Sequence, residues 1–206
     1  VNPQPTNPKP AETVLSTPYI PNLSHCGIFC RDLAVMKRFY TGVFDMQETD
    51  RGVGGTFRYE LVFLSGRDDQ HHQLVLAGGR GADAPSTVMQ LSFKIHTIDH
   101  LREARRRALS LGATKMRGLN HGNALSIYCM DPEDNTVEVY LDTPWYVSQP
   151  HGDPLNLDET DDAIWAQTER VVRSDPSFMP AQEWAALFAQ RSAALRASKA
   201  DGERQR

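Results

Sequence analysis

The sequence predicts an α+β fold: two paired βαβββ modules whose curved mixed sheets enclose a metal or ligand cavity, followed by C-terminal helices. Three observations point to it. Strand-like and helix-like patterns run in the order β-α-β-β-β twice along the chain. The second run repeats the first at a fixed offset: His25 opens one cycle as Gln90 opens the other, and Gln73 on the fourth strand answers to Glu138. Within the strands apolar and polar residues alternate, which gives each sheet one face for a core and another left over.

The elements follow in chain order. Residues 1–20 hold five prolines and little apolar periodicity, and read as an extended arm. The first module, residues 21–78, opens with a strand over Ser24–Cys30. Asp32 is placed to cap a helix carrying Leu33, Met36, Phe39 and Tyr40 on one stripe, with Gly42 as its stop. Strands near Met46–Thr49, over Phe57–Leu64 and over His71–Ala77 complete the module. Residues 79–87 are a linker, and the glycines at this junction precede no helix, which argues against a phosphate cradle. The second module, residues 88–150, has a strand over Val88–Ile95 and a helix over Leu101–Leu111, capped by Asp99 and ended by Gly112. Strands at Thr114–Arg117, Ala124–Met130 and Thr136–Asp142 follow. Residues 151–206 form a helical extension, with helices over Asp158–Arg173 and Pro180–Ala197. In the second of these Trp184, Leu187, Phe188 and Leu195 make an apolar stripe that reads as a packing face.

Strand parity sorts the residues further. Cys26, Ile28 and Cys30 share a face, as do Leu91, Phe93 and Ile95, then Leu125, Ile127 and Cys129, then Val137, Val139 and Leu141. The opposite faces carry His25, Gln90, Ser92, Ser126, Tyr128 and Glu138. A His nitrogen, an amide carbonyl and a carboxylate gathered on such a face can bind a divalent metal and leave coordination positions open.

Composition narrows the function classes. With 40% apolar and 23% charged residues in 206, the chain is ordinary globular material, not a disordered tract. A net charge of −4 and the lack of a basic stripe argue against nucleic acid as a partner. No apolar run approaches the roughly 18 residues of a membrane span, and the polar, Pro-rich start lacks the pattern of a secretory signal. Cys26 and Cys30 lie about 13 Å apart along one strand, too far to bridge. The three cysteines read as small buried hydrophobes in a reducing compartment, so a cytoplasmic location is expected.

Paired βαβββ modules with a first-strand His and a last-strand Glu resemble the vicinal oxygen chelate superfamily of glyoxalases, bleomycin and fosfomycin resistance proteins and extradiol dioxygenases. A sharper likeness is to the type I extradiol dioxygenases. It rests on the pair His71-His72 before an apolar strand, and on the run from His121 through Tyr128, Asp131-Pro132 and Glu138. This resemblance implies a ring-cleaving dioxygenase that inserts O2 into a catechol-like aromatic at a mononuclear metal. It implies His25, Gln90 and Glu138 as metal ligands, and His72, His121 and Tyr128 as catalytic residues. The metal is expected to be Fe(II), with Mn(II), Ni(II) or Zn(II) as alternatives, and the partners a small aromatic substrate and O2.

The chemistry explains the residue types. Metal coordination lowers the pKa of a catechol hydroxyl, a neutral His takes up a proton and returns it, and a Tyr hydroxyl donates to a developing oxyanion. Two positions depart from the dioxygenase pattern. Asp134 replaces a turn Gly, and Gln90 stands where the second ligand His belongs. A different metal-dependent enzyme of this fold (isomerase, lyase or thiol transferase) and a metal-free binder of aromatic ligands therefore stay open. His71, His96, His100 and His151 read as surface residues, Trp145 as a pocket wall or an anchor for the tail. The arm and tail offer contacts for a homo-oligomer.

Overall fold

The computed structural model describes residues 20–56 and 58–204. The arm expected over residues 1–20 thus lies almost wholly outside the described residues, as does Phe57. The first sheet is ordered β1-β4-β3-β2, from β1 (Cys26–Cys30), β2 (Gln47–Val53), β3 (Glu60–Ser65) and β4 (Leu74–Gly78). The second is ordered β10-β6-β7-β8-β5, from β5 (Leu91–Lys94), β6 (Thr114–Asn120), β7 (Ala124–Met130), β8 (Thr136–Asp142) and the short β10 (Asp153–Pro154). Each module joins its first and last long strands in parallel, β1 with β4 and β5 with β8, and the rest are antiparallel. The architecture is the paired-module α+β fold expected. The two sheets stay separate and do not close into a barrel.

The helices lie where their caps allow. Asp32 caps α1 (Leu33–Phe44), its carboxylate accepting from the N–H groups of Ala34 and Val35 at 2.9 and 3.0 Å. The helix runs past Gly42, the expected stop, and ends at Asp45, which takes the left-handed conformation at φ 54°. Gly42 serves packing instead: a Cβ there would lie 2.6 Å from Leu111 Cδ1. In α2 (Ile98–Ser110) the cap is Thr97, not Asp99, because the Thr97 hydroxyl oxygen accepts from His100 N–H at 3.1 Å. Asp99 sits in the first turn, where its charge suits the helix dipole.

The apolar strand faces and the helices form two clusters joined through Phe44 and Met116, which pack against both. Ile28, Cys30, Val62, Leu64 and Leu76 pack with Met36, Phe39 and Tyr40 of α1, and this cluster continues into Cys129 and Val137 of the second sheet. Burial pushes the Cys30 thiol up to about 12 and the Cys129 thiol up to about 11, as suits inert core sulfurs. Ile98, Leu101 and Ala104 of α2 cover Leu125, Ile127, Val139 and Leu141. Polar bonds stitch the modules together. Tyr40 OH donates to Asp131 Oδ2 at 2.9 Å, and the Glu133 carboxylate accepts the backbone N–H groups of Arg31 and Asp32 at 2.7 and 2.6 Å. Asp134 holds the turn between β7 and β8 at φ 65°, within reach of a short polar side chain.

The tail holds α3 (Asp161–Ser174) and α4 (Ala181–Arg204), with β9 (Trp145–Tyr146) paired to β11 (Met179–Pro180). Trp145 meets Trp165 of α3 edge-on, ring centroids 6.2 Å apart, so it anchors the tail. Most of the α4 stripe is not covered within this chain. Leu187, Phe188 and Leu195 are exposed, and α4 meets β9 and β11 of the body. Among the described residues no helix is long and apolar enough to cross a membrane.

Candidate functional site

The polar face of the second sheet gathers around one carboxylate. The ladder pairs Tyr128 with Glu138 across β7 and β8, and Ser92 with Glu138 across β5 and β8, so the three stand side by side. Ser126, two residues before Tyr128, shares the face. Glu138 is 7% exposed, Tyr128 8% and Ser126 fully buried.

A carboxylate this deep needs donors, and it has four. Gln90 Nε2 and Ser92 Oγ donate to Glu138 Oε2 at 3.0 and 2.6 Å. Ser126 Oγ and Tyr128 OH donate to Oε1 at 3.0 and 2.5 Å. Burial, then the bond to Glu138 and its negative charge, push the Tyr128 hydroxyl well above the usual tyrosine range; the Arg117 guanidinium, 5.2 Å from the ring centroid, opposes the shift.

Tyr128 has a second partner. His121 Nε2 lies 3.0 Å from its hydroxyl, and His121 Nδ1 lies 2.8 Å from the carbonyl oxygen of His151. That carbonyl can only accept, so Nδ1 carries a hydrogen. The ring is set by the hairpin between β6 and β7. His121 N–H donates to Ala124 O at 2.8 Å, and Gly122 takes φ 73° against Val147, where a Cβ would meet Val147 Cγ2 at 2.5 Å.

A cleft of about 1010 Å³ reaches this network through Gln90 and Ser92. His25 and Gln73 of the first module also line it, together with Phe44 and Phe93, whose rings stack at 3.7 Å. His25 and Gln90 therefore share one cleft, with Glu138 beneath Gln90. The sequence repeat is shifted by two residues here. Cys26 pairs with Leu74, but its counterpart Leu91 pairs with Val137, so Gln73 and Glu138 do not occupy equivalent rungs.

His72 stands apart. It precedes β4, because the strand starts at Leu74 and not at His71. Its ring packs on His25 at 4.3 Å, its Nδ1 lies 2.9 Å from that of His71, and Phe63 flanks it at 5.1 Å. Burial, then the neighbouring His25 and His71, hold its pKa below the usual histidine value. No hydrogen bond among the described residues links it to His121, Tyr128 or Glu138. His151, read as a surface residue, is 16% exposed in its side chain and orients His121 through its backbone. Ser92 and Ser126 have roles that nothing in the sequence assigns to them, although parity sets them on the right face.

The donor set does not fit a metal at His25, Gln90 and Glu138. A carboxylate offers about four lone-pair positions, and each Glu138 position faces a hydrogen of the chain. Gln90 turns its NH2 to the carboxylate, and an amide nitrogen is no ligand; the reverse orientation would set its oxygen against negative charge. Nor, among the described residues, do three His, Cys, Asp or Glu side chains converge where they could hold a metal ion.

Similar chains occur among solved structures. The fosfomycin resistance protein FosX from Mesorhizobium loti is 28% identical over 60% of this chain and 94% of its own, with a TM-score of 0.47. FosX from Listeria monocytogenes, solved with Mn(II) and sulfate ion, is 21% identical over 60% and 94%, with a TM-score of 0.48. A glyoxylase/bleomycin resistance protein/dioxygenase domain from Frankia sp. EAN1pec is 22% identical over 60% and 99%, at 0.50, and shares the fold. No curated protein matches the chain. The model of the Glyoxalase/Bleomycin resistance protein/Dioxygenase superfamily matches residues 22–139, more than half of the sequence. The chain belongs to that superfamily.

Proposed function

We propose that the chain is an enzyme that binds a small hydroxylated aromatic in the cleft and passes its hydroxyl proton through Ser92 to Glu138, with Tyr128 and His121 adjusting their hydrogen bonds behind it. The observation that carries this reading is the series Ser92, Glu138, Tyr128, His121 and the His151 carbonyl, each within hydrogen-bond distance of the next. Tyr128 owns one hydroxyl hydrogen and faces two acceptor positions, Glu138 Oε1 and His121 Nε2. A proton given up to Ser92 Oγ moves the Ser92 hydrogen onto Glu138. Glu138 then needs Tyr128 less, and the tyrosine hydrogen turns to His121. The transfer from Ser92 to Glu138 runs along an existing hydrogen bond, which is what acid–base catalysis requires of geometry. His25, Gln73, Gln90 and Ser92 line the cleft and supply polar groups for the substituents of a ring.

The second reading is the extradiol dioxygenase with Fe(II). The joining of His121, Tyr128 and Glu138, the three residues that the resemblance sets near a catecholate, favours it. It requires Gln90 to turn about and Glu138 to release donors. Anaerobic purification, metal analysis and oxygen uptake over a catechol panel separate the two. The first reading expects a catechol to bind equally well in chelator, with no oxygen consumed. Catechol-dependent uptake that appears on Fe(II) loading carries the second reading and overturns the first. Failure of every catechol to bind overturns both.

A further inference from the structure

The charges along the main cleft are not balanced. Asp45, Glu103 and Arg107 line it and satisfy one another, with Arg107 at 2.7 Å from Asp45 and 2.8 Å from Glu103. Arg67 and Lys94 line it too, but their counter-ions Asp69 and Asp142 do not. The cleft therefore presents two cations whose partners stand outside it. Lys94 shares β5 with Ser92, two residues further on, so the two side chains leave the strand on the same face. We propose that the cleft selects a hydroxylated aromatic acid, with the phenolic hydroxyl on Ser92 and the acid group, at the opposite end of the ring, on Lys94. This rests on the reading of Ser92 and Glu138 given above and adds the residue that selects the ligand.

Spacing favours such a ligand. Residues two apart on a strand stand about 6.7 Å from one another, close to the length of a benzene ring with an oxygen-bearing group at each end. Ser92 gives its hydrogen to Glu138 and accepts one from Gln90, which leaves one lone pair on its oxygen for the incoming hydroxyl. Lys94 spends one of its three hydrogens on Asp142 and keeps two. That bond holds the lysine pKa above its usual value against partial burial, so the ammonium stays charged.

Lys94 is the better anchor of the two cations. Arg67 is gripped through two nitrogens by Asp69, at 2.8 and 2.7 Å, which is the stronger arrangement. The Lys94–Asp142 pair has a single contact and is about half exposed on both sides. Such a pair is worth little in water, so an acid group can share the ammonium or take the place of Asp142 at small cost.

Calorimetric titration of the full chain, at low salt and in excess chelator, tests this. The ligands are para-hydroxybenzoate, its neutral amide, and ortho-hydroxybenzoate, whose two groups are neighbours on the ring. The wild-type chain should bind para-hydroxybenzoate about fivefold more tightly than the amide, the worth of one half-exposed ion pair. The ortho isomer should lack most of that advantage. Lys94→Met should make para-hydroxybenzoate and its amide equal, and Lys94→Arg should restore the preference. Asp142→Asn should widen it by freeing the ammonium. Equal binding of the acid and the amide by the wild-type chain overturns the proposal while leaving the reading of Ser92 in place. So does a preference that persists in Lys94→Met, and so does one that the ortho isomer shares in full. Failure of all three ligands to bind removes the hydroxylated aromatic itself, and the proposal falls with it.

Discussion

A buried carboxylate with four donors around it cannot be removed without stranding all four. Glu138→Ala leaves the hydrogens of Gln90, Ser92, Ser126 and Tyr128 without their acceptor, at an expected cost of about 3 kcal/mol. Glu138→Gln keeps one accepting oxygen and should cost less; chemical denaturation checks the order, and equal stabilities would show that water replaces the carboxylate. Tyr128 adds a pH dependence. Its hydroxyl titrates above the unfolded value of 10.0, so its contribution is complete below that pH and is lost as pH rises toward the higher folded value. Tyr128→Phe should therefore flatten the alkaline loss of stability, and a denaturation series from neutral pH upward checks it. At this scale strand parity made the site face legible, down to Ser92 and Ser126. The His121 partner was not legible, because any residue at position 151 could supply a backbone carbonyl. For His72, a His pair before an apolar run does not say where the strand begins.

Element ends carry their own predictions. Thr97→Ala should cost about 1 kcal/mol by removing the cap of α2, while Asp99→Ala should cost less, about 0.5 kcal/mol, since what is lost is a dipole interaction and an exposed ion pair with Arg102. Urea midpoints for the two variants decide the assignment, and a larger loss at Asp99 would reverse it. Thr and Asp both suit a cap, and only the backbone shows which residue precedes the first helical turn. The same limit governs register. Alternation fixes which residues share a face but not which rung they occupy, so the two-residue shift between the modules needed the paired strands themselves. The element order was legible because each strand carries its alternation and α1 its apolar stripe. The exposure of the α4 stripe was not, since an apolar face does not name what covers it.

The two modules are packed and bonded together, since α1 shares a cluster with Cys129 and Val137 of the second sheet and Glu133 accepts the N–H groups at the start of α1 from across the interface. Glu133→Ala should destabilise the whole chain by about 3 kcal/mol and still give one transition, visible with coincident probes in each module. Two separated transitions would show modules that fold alone. The joined core fixes the cleft, with His25 and Gln73 on one side and Gln90 and Ser92 on the other, above a carboxylate held by its own chain. The most direct test of that site is the absorption spectrum of a bound nitrocatechol, in excess chelator and below the free ligand's pKa. A proton-accepting Ser92–Glu138 pair should give the anion's spectrum with the wild-type chain and the neutral spectrum with Ser92→Ala. A neutral spectrum with both, or an anion spectrum that appears only when Fe(II) is added, would contradict it.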